Sequence, residues 1–222
     1  MAHLSDRIML AAPDLTGNEE TYVLDALRST WISSSGPYLQ RFETLFAQMC
    51  HAEFALAVAN GTVALHLALL GFDLKPGDEV ILPSLTYVAT ANAVRYVGAR
   101  PVFVDVDRAT WCVSPQAIEE AITPRTRGVI VVHLYGHPAD MDAIQEIASR
   151  HGLWIVEDAA EAHTATYKGR VVGGLADVSV FSFYGNKIFT SGEGGAVVIN
   201  NPQQAAKLRM LRGQGMDPNR RY

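Results

Sequence analysis

Two hydrophobic rhythms alternate along this chain. Short runs dense in β-branched and aromatic residues recur at 54–58, 79–82, 101–104, 128–133, 153–157, 178–183 and 196–199. Each has the length and content of a buried strand. Between them, apolar residues return at three- and four-residue steps, the spacing of one helix face. Ile118, Ala121 and Ile122 make such a stripe behind Ser114-Pro115, a cap residue with proline at the first helical position. Met141, Ile144, Ile147 and Ala148 make another between Asp140 and Arg150, and Val63 to Leu70 is apolar almost throughout. Thr16-Gly-Asn-Glu19 has capping-box spacing and predicts a helix to Arg28 with Val23, Ala26 and Leu27 on one face. A turn-rich loop at 33–37 precedes a helix from about Tyr38. A last helix, Pro202 to Arg212, meets a capping glycine at Gly213. Repeated β–α units predict an α/β fold, a mostly parallel sheet with helices on both faces.

Composition narrows the classes. At 222 residues and 49% hydrophobic content, one large core can be buried and no second domain is required. Lys and Arg number 18 against 23 Asp and Glu, and no basic stripe stands out, which argues against nucleic acid as partner. Two cysteines, Cys50 and Cys112, do not make a disulfide framework and suit a reducing, cytoplasmic setting. Met1 to Leu10 is broken by Asp6 and Arg7 and does not read as a signal peptide. No apolar run approaches the roughly 20 residues of a membrane span.

The chemistry concentrates where strands end. Lys187 follows the strand 178–183 through Gly185-Asn186, and a glycine-rich turn, Gly192-Glu-Gly-Gly195, leads into the next strand. Open α/β sheets place ligands at that edge, and an amine held there can attack an aldehyde cofactor. A surface loop lysine is the plain alternative. Asp158 ends another apolar strand. A carboxylate there can keep a pyridinium nitrogen protonated, or it can cap a helix opening at Ala159-Ala160-Glu161. Asn60-Gly61-Thr62 opens a helix whose first N–H groups and hydroxyl form an anion cradle. The G-x-G-x-x-G fingerprint is missing, which disfavours a dinucleotide. His133, His137, Asp140 and Asp142 are metal-ligand types without a compact ligand spacing, so no metal is expected. Trp31 and the serines after it fit either a sugar pocket or a solvated turn.

Taken together, Thr30-Trp-Ile-Ser-Ser-Ser-Gly36, Asn60-Gly-Thr-Val-Ala-Leu65, Pro83 to Asn92, Gly98 to Asp105, Val132-His-Leu-Tyr-Gly136, Glu157 to His163 and Phe181 to Gly195 resemble the PLP-dependent sugar-nucleotide aminotransferases of the DegT/StrS group. The matches run in family order from about residue 30 to the end of the chain. The resemblance implies the large domain of a fold-type I PLP-transferase and pyridoxal 5′-phosphate (PLP) as cofactor. It implies that Lys187 is the cofactor-linking and proton-moving residue and that Asp158 faces the ring nitrogen. Gly61, Thr62 and Ser182 would hold the phosphate and Tyr87 would stack on the ring. Glu161 stands near the phenolic oxygen, where many members carry glutamine, and His163 also matches the pattern.

The implied substrates are glutamate and a nucleotide-linked 4-keto-6-deoxysugar. Phe103 to Cys112 and Glu161 lean towards the perosamine-type branch, which aminates GDP-4-keto-6-deoxymannose. Family members form homodimers with shared active sites and continue into a smaller C-terminal domain. That leads to the expectation that residues 1–222 are the cofactor-binding large domain without it. The rivals are a non-catalytic cofactor-binding or interaction module, and an aminotransferase for another sugar or cyclitol. Relatives that dehydrate sugars carry histidine at the lysine position, and Lys187 argues against that reaction.

Overall fold

The computed structural model describes residues 11–216. Met1–Leu10, read above as no secretory leader, and Arg220-Arg221-Tyr222 lie outside them. The strands are β1 (Phe54–Val58), β2 (Glu79–Pro83), β3 (Arg100–Val104), β4 (Thr126–Val132), β5 (Trp154–Asp158), β6 (Thr166–Tyr167), β7 (Arg170–Val171), β8 (Val178–Ser182) and β9 (Gly195–Ile199). The helices are α1 (Glu19–Ser29), α2 (Pro37–Met49), α3 (Gly61–Leu70), α4 (Val88–Tyr96), α5 (Pro115–Ala121), α6 (Met141–His151) and α7 (Pro202–Arg212).

Seven strands form one sheet in the order β1-β9-β8-β5-β4-β2-β3, and β6 and β7 make a small separate hairpin. The two faces of the strands feed two core layers. Ile81, Val129, Val131, Ile155, Phe181 and Val198 pack with residues of α2, α5 and α6. Val80, Leu82, Ile130, Val156, Val180 and Val197 pack with residues of α3, α4 and α7 on the other face. A sheet covered on both faces needs apolar residues at odd and even positions alike, which is why its strands read as unbroken apolar runs.

Only β9 runs against its neighbours, antiparallel to both β1 and β8. Residues 183–194 carry no helix to cross over a sheet face, so the chain returns beside β8 as a hairpin.

One helix start differs from expectation. α1 starts at Glu19 with Asn18 at its cap, and that cap residue makes no side-chain bond. Thr16 lies too far upstream to cap and instead places its N–H on Asp14 Oδ1 at 3.1 Å. Val23 and Leu27 of the α1 stripe are exposed. α7 ends as expected, with Gly213 at its C-cap donating to the Arg209 carbonyl, and the positive φ of 65° falls on Gln214.

Three of the four residues weighed as metal ligands are engaged elsewhere. Asp140 accepts from the Tyr167 hydroxyl at 2.7 Å, and Asp142 pairs with Lys168 and Arg170. His133 bonds Glu157, and among the described residues no cluster of metal-ligating side chains forms. No described helix is long and apolar enough to cross a membrane.

Candidate active site

The chain adds β3 outside β2 and then returns to lay β4 on the other side of β2, which makes a topological switch point. At the carboxyl ends of the strands around it lies a cavity of about 410 Å³. Gly61 after β1, Tyr87 after β2, Asp158 and Glu161 at and after the end of β5, and Ser182 and Lys187 at and after the end of β8 all reach it. This is the crevice where open α/β sheets bind ligands.

Lys187 sits in the loop between β8 and β9. The loop is folded tightly on Phe183, whose N–H donates to Gly194 O at 2.8 Å and whose carbonyl accepts from Ser191 N–H at 3.0 Å. The Lys187 side chain is only 17% exposed, and its Nζ donates to Glu161 Oε1 at 3.2 Å. Glu161 Oε2 in turn accepts the Tyr135 N–H at 2.9 Å. Tyr135 adopts a left-handed backbone, φ 51°, within a short 3₁₀ turn after β4. For a residue with a Cβ that conformation costs about 1 kcal/mol or more, and it aims the N–H at the carboxylate.

Asp158 is the last residue of β5 and is buried. No helix follows it, so the helix-cap reading fails; a turn leads on to Glu161 instead. Its Oδ2 accepts from Thr90 Oγ1 at 2.8 Å, and its Oδ1 makes one long contact, 3.3 Å, with the Ala160 N–H. Among the described residues no cation stands within ion-pair distance. Burial therefore pushes the carboxyl above the usual range, although Thr90, Ala160, Lys187 and His133 oppose it.

The third wall is the start of α3. The Asn60 side chain caps it by accepting from Val63 N–H at 2.9 Å. Gly61 here is a matter of space: a Cβ would stand 2.8 Å from Ser182 Cβ. Gly195 is equally constrained, because its Cβ would fall 2.5 Å from the Asn60 carbonyl. These close approaches set the Ser182 hydroxyl beside the open end of a helix, a site for an anion.

An amine, a buried acid short of donors and an anion cradle facing one cavity fit a phosphorylated pyridine aldehyde. Tyr87, at the cap of α4, is 76% exposed and lines the mouth. His163 does not join them. It is buried behind the site among Phe181, Phe183 and Phe189, with ring centroids 5.3 to 5.5 Å away. Neither ring nitrogen has a hydrogen-bond partner among the described residues. Burial pushes its pKa down to about 4. Trp31 is exposed and lies outside the cavity lining.

Sequence reasoning missed Thr90 and Thr86, whose hydroxyls are 2.9 Å apart behind Asp158. Their four-residue spacing across the start of α4 was the available signal.

Comparisons with known proteins bear on this geometry. A family model described as the DegT/DnrJ/EryC1/StrS aminotransferase family matches residues 13–222. The GDP-perosamine synthase of Caulobacter vibrioides is 56% identical over 216 residues, 97% of this chain and 58% of that protein. The GDP-perosamine synthase of Escherichia coli O157:H7 is 51% identical over 210 residues, 95% of this chain and 58% of that protein. The crystal structure of an aminotransferase from Psychrobacter cryohalolentis matches with a TM-score of 0.90 at 40% identity, covering 95% of this chain and 54% of that one. The chain thus spans 58% of the length of these two curated relatives.

Proposed function

The chain belongs to the DegT/DnrJ/EryC1/StrS aminotransferase family, and on that premise we propose that it forms the PLP-binding part of a transaminase for nucleotide-linked 4-keto-6-deoxysugars. Glutamate is the amino donor. Relatives named GDP-perosamine synthase support GDP-4-keto-6-deoxymannose as the acceptor. One observation carries the reading: Lys187 and the buried Asp158 carboxyl face a single cavity beside the open start of α3.

When bound, PLP supplies an aldehyde that takes up amino groups and a protonated ring that accepts electrons released at the substrate carbon. The chain's residues do the rest. The N–H groups of Gly61 and Thr62, with the Ser182 hydroxyl, hold the phosphate. Asp158 keeps the ring nitrogen protonated, because a carboxylate with one good donor gains most from a cation beside it. Tyr87, at the mouth, would stack on the ring. Lys187 Nζ would hold the cofactor and would move a proton at the substrate carbon as general base and acid. Glu161, anchored by the Tyr135 N–H, keeps that Nζ aimed into the cavity.

Assembly as a homodimer belongs to the same reading. It is supported by the exposed stripe of α1, where Val23 and Leu27 face solvent, and by Leu15, exposed just upstream of the helix. Sedimentation velocity tests it, and a monomer at working concentration would refute it.

Borohydride reduction in the presence of PLP, followed by peptide mapping, tests the core of the proposal. A pyridoxyl adduct on Lys187 is expected; none, or one scattered over surface lysines, would overturn it. Assays with glutamate and GDP-, dTDP- or UDP-linked keto sugars test the substrate, with GDP expected to be preferred.

A further inference from the structure

We infer that Thr90, itself held by Thr86, is the positioning residue that keeps the Asp158 carboxylate ionised and turned into the cavity. The inference rests on the PLP-binding reading above. Its basis is the direction of the hydrogen bonds. An ionised carboxylate only accepts, so Thr90 Oγ1 must donate its single proton to Asp158 Oδ2, at 2.8 Å. The Thr90 oxygen is then left as an acceptor, and the Thr86 hydroxyl, 2.9 Å away, donates to it. The wire runs one way, from Thr86 through Thr90 to Asp158. A protonated Asp158 has a proton of its own to place and does not need Thr90 as donor.

The placement of Thr90 sets it apart from an ordinary helical threonine. Its side chain is fully buried in the first turn of α4, where threonine often bonds its own helix backbone. Here its side-chain partners are the carboxyl 68 positions away in sequence and the Thr86 hydroxyl. The same turn places Tyr87 at the cavity mouth, so residues 86–90 supply both an aromatic side chain at the mouth and the donor to the acid. With Oδ2 committed to Thr90, Oδ1 has only the long Ala160 contact and is the oxygen with capacity for the ring nitrogen.

The charges around Asp158 give the inference a pH signature. Burial works against the ionised form; Thr90 and the Ala160 N–H favour it, as do Lys187 from the β8–β9 loop and His133 from the end of β4. Glu157 is its neighbour on β5 and holds its own donors. Losing the Thr90 donor leaves burial less opposed, so Asp158 takes a proton at higher pH. PLP binding then fails from the acid side at higher pH.

The test is titration of the cofactor-free purified protein with PLP. The absorbance of the lysine-bound cofactor reads the dissociation constant across pH, and circular dichroism melts monitor folding. Thr90→Val is expected to weaken binding about tenfold, the effect of leaving a buried acceptor without its donor, and to move the acid limb upward. Thr90→Ser, which keeps the hydroxyl, should restore both. Thr86→Val, one bond further back, should shift both in the same direction by about threefold. A folded Thr90→Val protein with wild-type affinity and an unmoved acid limb would overturn the inference. Should Thr90→Val not fold, Thr86→Val decides, and no shift there overturns it equally. Failure of the wild-type protein to take PLP onto Lys187 would bring down the proposed function and this inference together. Wild-type binding with inert threonine variants would bring down this inference alone.

Discussion

Glu157 and Asp158 are neighbours on β5, both buried, and their side chains point to opposite faces of the sheet. Glu157 is saturated. Its Oε1 accepts from Leu175 N–H at 2.9 Å and Ser179 Oγ at 2.7 Å, its Oε2 from Gly173 N–H and His133 Nε2, each at 3.1 Å. His133 Nδ1 accepts the Ala139 N–H, which leaves the ring proton on Nε2, facing the carboxylate. Burial pushes the Glu157 carboxyl up, yet these donors outweigh it and hold the group below its usual range. Asp158 has one good donor and one long one, and burial wins. Depth does not separate the two acids; donor supply does. A carboxylate given every donor it can use joins β4, β5, β8 and the 173–175 turn and has nothing left for a ligand. One kept short of donors is a place waiting for a cation.

The sharpest test of that contrast lies on the cavity side. Lys187→Ala should remove the borohydride-trapped adduct and lower transamination by about 10⁴-fold, the upper end of what a positioned acid–base group contributes. Its melting temperature should be close to wild type, and a clear fall would mean that the lysine also holds the fold. Asp158→Asn should cost about a thousandfold in turnover, comparable to losing one preorganised electrostatic contact. Its resistance to urea should stay level or rise, since a charge opposed by burial is gone.

Glu157→Gln should invert that result. An amide meets donors on every side, and the loss should be about 3 kcal/mol in urea titration, while the remaining folded protein binds PLP normally. Equal stability losses for both variants would erase the distinction between the two acids.

At neutral pH the smallest effect is expected at His163, whose contribution emerges only in acid. Above pH 6.5 both folded and unfolded chains hold it neutral. Below that, the unfolded chain takes a proton that the folded chain refuses until about 4, so stability is lost as pH falls. His163→Phe should flatten the decline between pH 6.5 and 4, by up to about 3 kcal/mol at the acid end. An unchanged acid limb in thermal melts would show that other groups carry it.

Much of this was legible in the sequence, for identifiable reasons. The apolar runs and helical stripes reproduced the strands and the helices of the sheet faces, because burial on both faces leaves a strong compositional trace. Lys187, Asp158 and Gly61 could be named because each sits at a strand end, where few structural uses compete. The antiparallel course of β9 was less visible: direction is a property of connections, and 183–194 shows only glycines and polar residues. Thr16 has the right residue type for a cap but stands two positions upstream of Asn18, which takes the cap position. Thr90 stayed hidden because its partner is distant in sequence, and His163 because residue type does not tell whether an imidazole meets ligand or phenylalanine.

The insertion of β9 also has a consequence in time. Its sheet partners among the described residues are β1 and β8, and Phe54 pairs with Ile199, 145 positions away. Until β9 arrives, β1 has no sheet neighbour and the open start of α3 has no Gly195 to face. Contacts of such long sequence separation form slowly, after their loop-closure entropy has been met. The parallel block from β2 to β5 can therefore collapse first, and the PLP cavity comes last. A newly made chain would pass through a state with a folded core and no cofactor site, and PLP would act as a latch on the final step rather than a template for the first.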